Sequence, residues 1–165
     1  MDDIIYMKEA IAEARRALEC GEIPVGAVIV RGGEIIGRGH NTRSRDNSPL
    51  GHAELTALEA AAAAINSWRF DGCSIYVTLE PCVMCSGALV QCRMGRIVFG
   101  AKDPRAGGCR SLYEIPSDPR MYHRCAVSGG LLADECAELL RMFFRQRRGA
   151  GRGGPQSARP AAGGR

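Results

Sequence analysis

Hydrophobic positions along the chain switch between helical spacing and short continuous runs. Between residues 3 and 19 the apolar side chains recur every three or four positions, which predicts an amphipathic helix. Residues 25–30 form an unbroken apolar run that is typical of a buried strand, and Gly32-Gly33 predicts a tight turn into an antiparallel partner over 34–39. The same reasoning predicts helices over 52–65, 81–91 and 132–148, and strands over 73–79, 96–101 and 125–128.

This order of elements, α-β-β-α-β-α-β-β-α, favours a sheet covered by helices on both faces. We therefore expect an α/β fold, a three-layer α/β/α sandwich around a central mixed five-stranded sheet. In that architecture the loops that lead into helices form the functional site.

Composition predicts one soluble domain. The chain has 165 residues, of which 45% are hydrophobic and 24% charged, and we expect residues 1–148 to form the domain. Residues 149–165 hold six Gly, four Ala and three Arg, a composition that cannot build a core and predicts a disordered tail. The acidic start Met1-Asp2-Asp3 lacks the features of a secretory signal, so we expect the eight cysteines to be reduced and the protein to be cytoplasmic, with no membrane span.

The net charge of +4 conceals an uneven distribution. Residues 141–165 carry seven Arg and no acidic residue, so the rest of the chain sums to −3, from 15 basic and 18 acidic residues. A basic end on a mildly acidic body favours contact with nucleic acid. Two alternatives stay open, because a short basic run can be merely solvated, and the near-absence of Lys can reflect the base composition of the genome.

One sequence pattern carries chemistry. His52-Ala53-Glu54 is followed by Pro81-Cys82-Val83-Met84-Cys85, which together match the His-x-Glu…Pro-Cys-x-x-Cys signature of zinc-dependent nucleobase deaminases. One imidazole and two thiolates leave the fourth position of a zinc ion open for water, as in catalytic zinc sites. The alternative that Cys82 and Cys85 form a redox-active pair is less consistent with the upstream His52-x-Glu54 than a metal site is.

The predicted elements place these groups together. Cys82 and Cys85 lie three residues apart on the first turn of the predicted helix 81–91, so both can face one metal ion. The polar loop over 41–51 places His52 at the start of the predicted helix 52–65, where the side chains of His52 and Glu54 can converge. Zinc lowers the pKa of bound water to about 7, and Glu54 would move protons from that water to the substrate, worth about 10² to 10⁴-fold in rate. The alternative is a closed structural zinc whose fourth ligand would be one of three further cysteines: Cys73, Cys92 or Cys109.

Several strings over residues 4–148 make the chain similar to the bacterial tRNA-specific adenosine deaminases, within the cytidine deaminase-like superfamily. Besides the zinc motif they are Ile23-Pro24-Val25-Gly26-Ala27-Val28, Gly39-His40-Asn41, Thr78-Leu79-Glu80, Val98-Phe99-Gly100-Ala101 with Asp103, and Phe143-Phe144-Arg145. The resemblance implies a cytidine deaminase-like fold and conversion of the wobble adenosine of a tRNA anticodon loop to inosine, with release of ammonia. It also implies a homodimer with one Zn²⁺ per subunit that binds the anticodon stem-loop.

The resemblance also assigns roles to individual residues. It implies that His52, Cys82 and Cys85 bind zinc and that Glu54 is the catalytic proton carrier. It implies that Asn41 contacts the target base or its ribose and that Asp103 lies beside the flanking nucleotide. It further implies that the pocket is framed by Leu79, Glu80 and Pro81, and that the anticodon stem-loop is contacted by Phe143, Phe144, Arg145 and Arg147. Of the two adjacent phenylalanines, we expect one to be buried and the other exposed.

Two segments depart from the family pattern. The family usually has Asp-Pro-Thr-Ala before the catalytic His, where this chain has Ser48-Pro49-Leu50-Gly51, and it usually has Asn before His123, where this chain has Tyr122. Tyr122 is therefore a further candidate for substrate binding, by stacking on a base or by narrowing the pocket, whereas His123 is expected to be structural or to face phosphate. These departures keep two alternatives open: deamination of a free purine base such as guanine or of a free nucleoside, and a non-catalytic RNA-binding zinc module.

Overall fold

A computed structural model describes residues 2–150 of the chain. The described part contains four α-helices, five strands and one 3₁₀ turn. In chain order they are α1 (Asp3–Glu19), β1 (Gly26–Arg31), β2 (Glu34–His40), α2 (Ala53–Ile65), β3 (Ser74–Leu79), α3 (Val83–Gln91), β4 (Arg96–Ala101), the 3₁₀ turn (Ile115–Ser117), β5 (Ala126–Gly129) and α4 (Ala133–Ala150).

The five strands form one mixed sheet in the order β2-β1-β3-β4-β5. β1 pairs antiparallel with both β2 and β3, whereas β3, β4 and β5 run parallel. Five of the six residues of β1 are buried, which explains its continuous apolar run. The edge strand β2 contains both exposed and buried positions. The predicted mixed five-stranded sheet is confirmed.

Alternate residues of the central strands point into two separate cores. On one face Ile29, Ile75 and Phe99 pack with apolar residues of α2 and α3. On the other face Val28 and Tyr76 pack with apolar residues of α1 and α4. The period-two alternation therefore divides the helices into two layers, which confirms the three-layer sandwich.

Two glycines allow α2 to lie directly on the edge of the sheet. A Cβ atom at Gly37 would overlap the carbonyl oxygen of Ala57, and one at Gly39 would overlap that of Ala53. This close approach brings the start of α2 beside the end of β2, where Asn41 follows. The first turn of α2 is thereby fixed against the loop that leaves the sheet.

Some predicted boundaries differ from those in the structure. Pro81 was expected to be the first residue of α3, but the helix begins at Val83, because Cys82 keeps an extended backbone and pairs with Gly107 in an isolated antiparallel bridge. Helix α4 continues to Ala150, two residues past the predicted end of the domain at residue 148, and residues 151–165 of the predicted tail lie outside the described residues. Within residues 2–150, none of the helices is both long and apolar enough to cross a membrane.

Candidate metal centre and adjoining pocket

Three side chains from two helices converge at one end of the sheet. The donor atoms of His52, Cys82 and Cys85 all lie within 4.8 Å of one another, and His52 Nδ1 is 3.6 Å from each Sγ. A tetrahedral zinc with Zn–N of about 2.0–2.1 Å and Zn–S of about 2.3 Å requires an N···S separation of about 3.6 Å. The donor set and its spacing therefore fit one zinc ion.

The structure supplies no fourth side-chain ligand from the cysteines named as candidates. Within residues 2–150, only the His52, Cys82 and Cys85 group satisfies the spacing of a metal site built from His, Cys, Asp or Glu. Cys109 directs its thiol toward Ser86 Oγ, 3.4 Å away, instead of toward the three ligands. Cys73 and Cys92 are likewise outside the group, so the described residues match an open zinc site and not a closed structural one.

Helix starts position two of the three ligands. His52 is the N-cap of α2 and Cys82 is the N-cap of α3; both have an extended backbone, and neither side chain caps its own helix. Each side chain instead turns toward the other, and Cys85 joins them from the first turn of α3. The positive ends of both helix dipoles point at this cluster, which favours thiolates there.

The charges of the cluster are strongly linked. A hydrogen bond from the Cys85 thiol, helped by another from His52, lowers the pKa of Cys82 to about 4. The same hydrogen bond to Cys82, together with burial, raises the pKa of Cys85, and the hydrogen bond with Cys82 raises that of His52. The site thus already favours a thiolate, and a divalent cation would stabilise the second one.

Glu54 lies beside the ligands in the first turn of α2. Its side chain is only 4% exposed, and burial raises its pKa to about 7. The predicted convergence of His52 and Glu54 at a helix start is what the structure shows, because both line the same pocket. A buried carboxyl group next to an open metal position has the placement required of a general acid–base group.

A pocket of about 160 Å³ opens next to the metal cluster. Among the predicted site residues it is lined by Asn41, His52, Glu54, Leu79, Glu80, Cys82 and Asp103, and it also includes Ile23, Val25, Arg43, Ala53 and Ala106. Sequence reasoning did not select these last five as site residues, although Ile23 and Val25 stand in a string already compared with the family. Arg43 and Ala106 lie in irregular loops, for which periodicity gives no signal.

Asn41 is held in place at the pocket wall. Its amide nitrogen donates to the carbonyl of Ile23 at 3.2 Å, and its amide oxygen accepts from the backbone N–H of Arg43 at 3.0 Å. An Asn side chain has two N–H donors and two acceptor positions, so one of each is still available. The fixed amide can therefore offer a donor and an acceptor to a ligand.

A groove formed with the end of α4 adjoins this pocket. The groove, of about 280 Å³, is lined by Phe143, Phe144 and Arg147 and shares Ile23, Asn41 and Arg43 with the pocket. Phe143 is 5% exposed and Phe144 is 48% exposed, which confirms the expectation of one buried and one exposed ring. The Arg147 guanidinium lies 5.1 Å from the centroid of the Phe143 ring, in cation–π range.

Other predicted site residues lie away from the pocket lining. Tyr122 is 61% exposed, and neither it nor the exposed Leu50 is among the residues that line the pocket. Pro81 is buried and is not among the residues that line the pocket, and Arg145 forms an ion pair of 2.6 Å with Glu138 on the exposed side of α4. Their substrate contacts remain predictions.

His123 has a structural partner. Its Nε2 lies 2.7 Å from the carbonyl oxygen of Met94, which fits the structural alternative predicted for this residue. The contact ties the irregular segment before β5 to the turn between α3 and β4.

Comparisons with known proteins agree with the metal centre. The family described as "Cytidine and deoxycytidylate deaminase zinc-binding region" matches residues 1–101. A tRNA-specific adenosine deaminase of Streptococcus pyogenes serotype M18 is 48% identical over 143 residues, which cover 87% of this chain and 90% of that protein. The Bacillus subtilis (strain 168) protein of the same name is 46% identical over 146 residues, covering 88% of this chain and 91% of its own length.

Solved structures show the same fold. A chain from a study of A-to-I editing by tRNA:A34 deaminases at the transfer-RNA wobble position superposes with a TM-score of 0.79 at 39% identity, covering 82% of this chain and 98% of that one. A guanine deaminase from Nitrosomonas europaea superposes with a TM-score of 0.75 at 23% identity, covering 86% of this chain and 84% of that one. The second likeness concerns the fold alone.

Proposed function

The chain belongs to the zinc-binding cytidine and deoxycytidylate deaminase family, and on that premise we propose that it converts adenosine to inosine at the wobble position of a tRNA anticodon loop. The observation that carries the proposal is the open His-Cys-Cys metal centre with Glu54 beside it, in one pocket. Relatives at 46–48% identity over most of the chain bear the name tRNA-specific adenosine deaminase. The reaction consumes water and releases ammonia.

In this mechanism His52, Cys82 and Cys85 hold the metal. When bound, zinc supplies an activated water molecule. Glu54 accepts one proton from the attacking water and delivers it to the ring nitrogen. It then moves the second proton, from the added hydroxyl group, to the amine, so that the C–N bond breaks, ammonia leaves and the carbon becomes a carbonyl. The buried position of Glu54 keeps bulk water away from these transfers.

The remaining pocket residues bind and orient the nucleoside. The spare donor and acceptor of Asn41 face the base or its ribose, while Leu79 and Val25 give the flat base an apolar wall. Asp103 lines the same pocket from the segment after β4, and we expect it to lie beside the flanking nucleotide. Single-stranded loops suit such a pocket because their bases can be turned out of the stack.

The adjoining groove is proposed to bind the anticodon stem-loop. The exposed Phe144 ring offers a stacking surface, and Arg43 and Arg147 offer positive charge to phosphates. We expect Arg147→Ala to weaken binding of a stem-loop RNA and to reduce the salt-dependence slope by about 1. The control is Arg69→Ala, which removes an exposed arginine paired with Asp71 outside both the pocket and the groove and should leave the slope unchanged.

A homodimer and a cytoplasmic location are part of the proposal. Both follow from the resemblance and from a tRNA substrate. Light scattering in solution should give twice the chain mass of 17.7 kDa. A mass of one chain at assay concentration would contradict the dimer.

The experiment that tests the reaction compares substrates. We expect inosine in an anticodon stem-loop with adenosine at the wobble position, and no ammonia from free adenosine or guanine. Ammonia from the free compounds but none from RNA would replace the proposal with a purine or nucleoside deaminase. RNA binding with no deamination of any of these substrates would favour the non-catalytic zinc module.

A further inference from the structure

Glu80 is a buried acid whose side-chain hydrogen bonds all run to one loop. It follows β3, and its side chain is 2% exposed. Oε1 accepts from the backbone N–H groups of Cys109 at 3.2 Å, Arg110 at 2.7 Å and Ser111 at 2.8 Å. Oε2 accepts from the backbone N–H of Asp103 at 3.0 Å and from the hydroxyl of Ser111.

These hydrogen bonds occupy all the acceptor positions of the carboxylate. An ionised carboxyl group has about four acceptor positions, and five donors already point at this one. The carboxylate therefore has no free acceptor position for a substrate.

The loop that Glu80 holds, residues 102–111, forms one wall of the pocket. Asp103 and Ala106 from this loop line it. A Cβ at Gly107 would overlap the Glu80 carboxylate, so glycine allows the loop to close over the charge. The same Gly107 pairs with Cys82, and Gly108 donates to the carbonyl of Pro81 at 2.8 Å.

The loop thus contacts both the Glu80 carboxylate and the two residues that precede α3 at the metal centre, Pro81 and Cys82. A displacement of the loop would move Asp103 and Ala106 relative to the metal ligands. It would change the shape of the pocket without removing any ligand. This separates the role of Glu80 from that of the metal-binding residues.

We propose that Glu80 is a positioning residue for substrate binding, which fixes the pocket wall through loop 102–111 and accepts no hydrogen bond from the substrate. The inference rests on the proposed function for the meaning of that wall. The placement of the loop does not depend on the substrate, so the inference about Glu80 and the proposed function can each fail without the other.

The test is Glu80→Gln in the full chain. The amide replaces one acceptor oxygen with a donor, so at least two of the five donors face another donor. We expect amide hydrogen exchange at residues 103 and 109–111 to accelerate on the order of ten- to a hundredfold, as for loss of hydrogen bonds to a charged group. We also expect KM for the stem-loop to rise about tenfold, with kcat within about twofold and zinc still at one ion per chain.

Two further variants complete the experiment. Asp3→Asn is the matched carboxylate-to-amide control. Asp3 is the first residue of α1, accepts hydrogen bonds from Tyr76 and Arg96, and is not part of the pocket lining, so KM should not change. Ser111→Ala removes only the hydroxyl donor and should give a smaller change in the same direction, which keeps the test available if Glu80→Gln does not fold.

The outcomes are distinct. Unchanged exchange at residues 103 and 109–111 in Glu80→Gln overturns the proposal, as does unchanged KM with faster exchange. Loss of zinc with no change in loop exchange also overturns it, because Glu80 would then act on the metal centre. If wild-type protein does not deaminate RNA, the proposed function fails, while the exchange measurement still tests the hold of Glu80 on the loop.

Discussion

Glu54→Gln removes the charge and proton affinity of a buried carboxyl group while keeping its size. The side chain is 4% exposed in the first turn of α2, so the amide should occupy the same space without admitting bulk water. His52, Cys82 and Cys85 form the metal group without it, so we expect the variant to retain one zinc per chain. What is lost is the group that carries protons between water and substrate.

The expected loss is large and falls on the chemical step. Positioned proton transfer contributes about 10² to 10⁴-fold, so kcat should fall by that factor, which corresponds to about 2.7–5.4 kcal/mol in the activation barrier. KM should change little, because the base, ribose and RNA contacts are unchanged. Single-turnover formation of inosine in a stem-loop, with zinc measured on the same sample, separates the two quantities.

The matched control is Glu59→Gln, which makes the same change at an exposed position of the same helix. It should keep wild-type kcat, KM and zinc content. A zinc-loaded Glu54→Gln variant with more than a tenth of the wild-type kcat would refute the assignment. Loss of zinc from that variant would instead make Glu54 part of metal retention.

Three other predictions test the centre and the fold. Cys109→Ser should keep one zinc per chain, since that thiol lies outside the metal group; loss of metal on elemental analysis would restore the closed site. The Arg96 hydrogen bonds hold the pKa of Asp3 below its usual value. The free energy of unfolding that Asp3→Asn removes should therefore be present above about pH 4 and decrease as the pH falls further. Urea unfolding that shows the same loss of free energy at pH 7 and at pH 3 would contradict this. Gly26→Ala should lower Tm, because its Cβ would overlap the backbone of α1, whereas Gly87→Ala, in open space within α3, should raise the unfolding free energy by about 0.5–1 kcal/mol; thermal and urea melts of both variants decide.

The predictable parts of the molecule are those governed by local periodicity or by a short motif. The two-residue and helical repeats gave the elements and the layers because each element buries one stripe or face. Helical geometry also separates Phe143 from Phe144, since neighbouring helical residues point about 100° apart. The polar loop before His52 located the helix start at which His52 and Glu54 meet.

The unpredicted parts depend on contacts between distant segments. Pro81 does not begin α3 because Cys82 is held extended by Gly107, 25 positions later, and nothing local to Pro81 signals that bridge. The bonds of Glu80 likewise reach residues 23 to 31 positions away in a loop without periodicity. Arg43 enters the pocket from a loop of similar irregularity. Loop geometry of this kind is set by tertiary hydrogen bonds, which the sequence pattern does not display.

The metal ligands occupy positions that helices normally use for their own stability. An N-cap is usually Ser, Thr, Asp or Asn, whose side chain bonds a free N–H of the first turn and contributes about 1 kcal/mol. His52 and Cys82 hold those positions in α2 and α3 and cap neither helix, so both helix starts leave their N–H groups to other partners. Zinc with two thiolates and one neutral imidazole carries no net charge, so its burial costs less than that of an unpaired ion. The two helices thus lack the stabilisation of a side-chain cap. Metal binding couples to folding and would offset that loss, and three protein ligands would leave the fourth coordination position beside Glu54 for water.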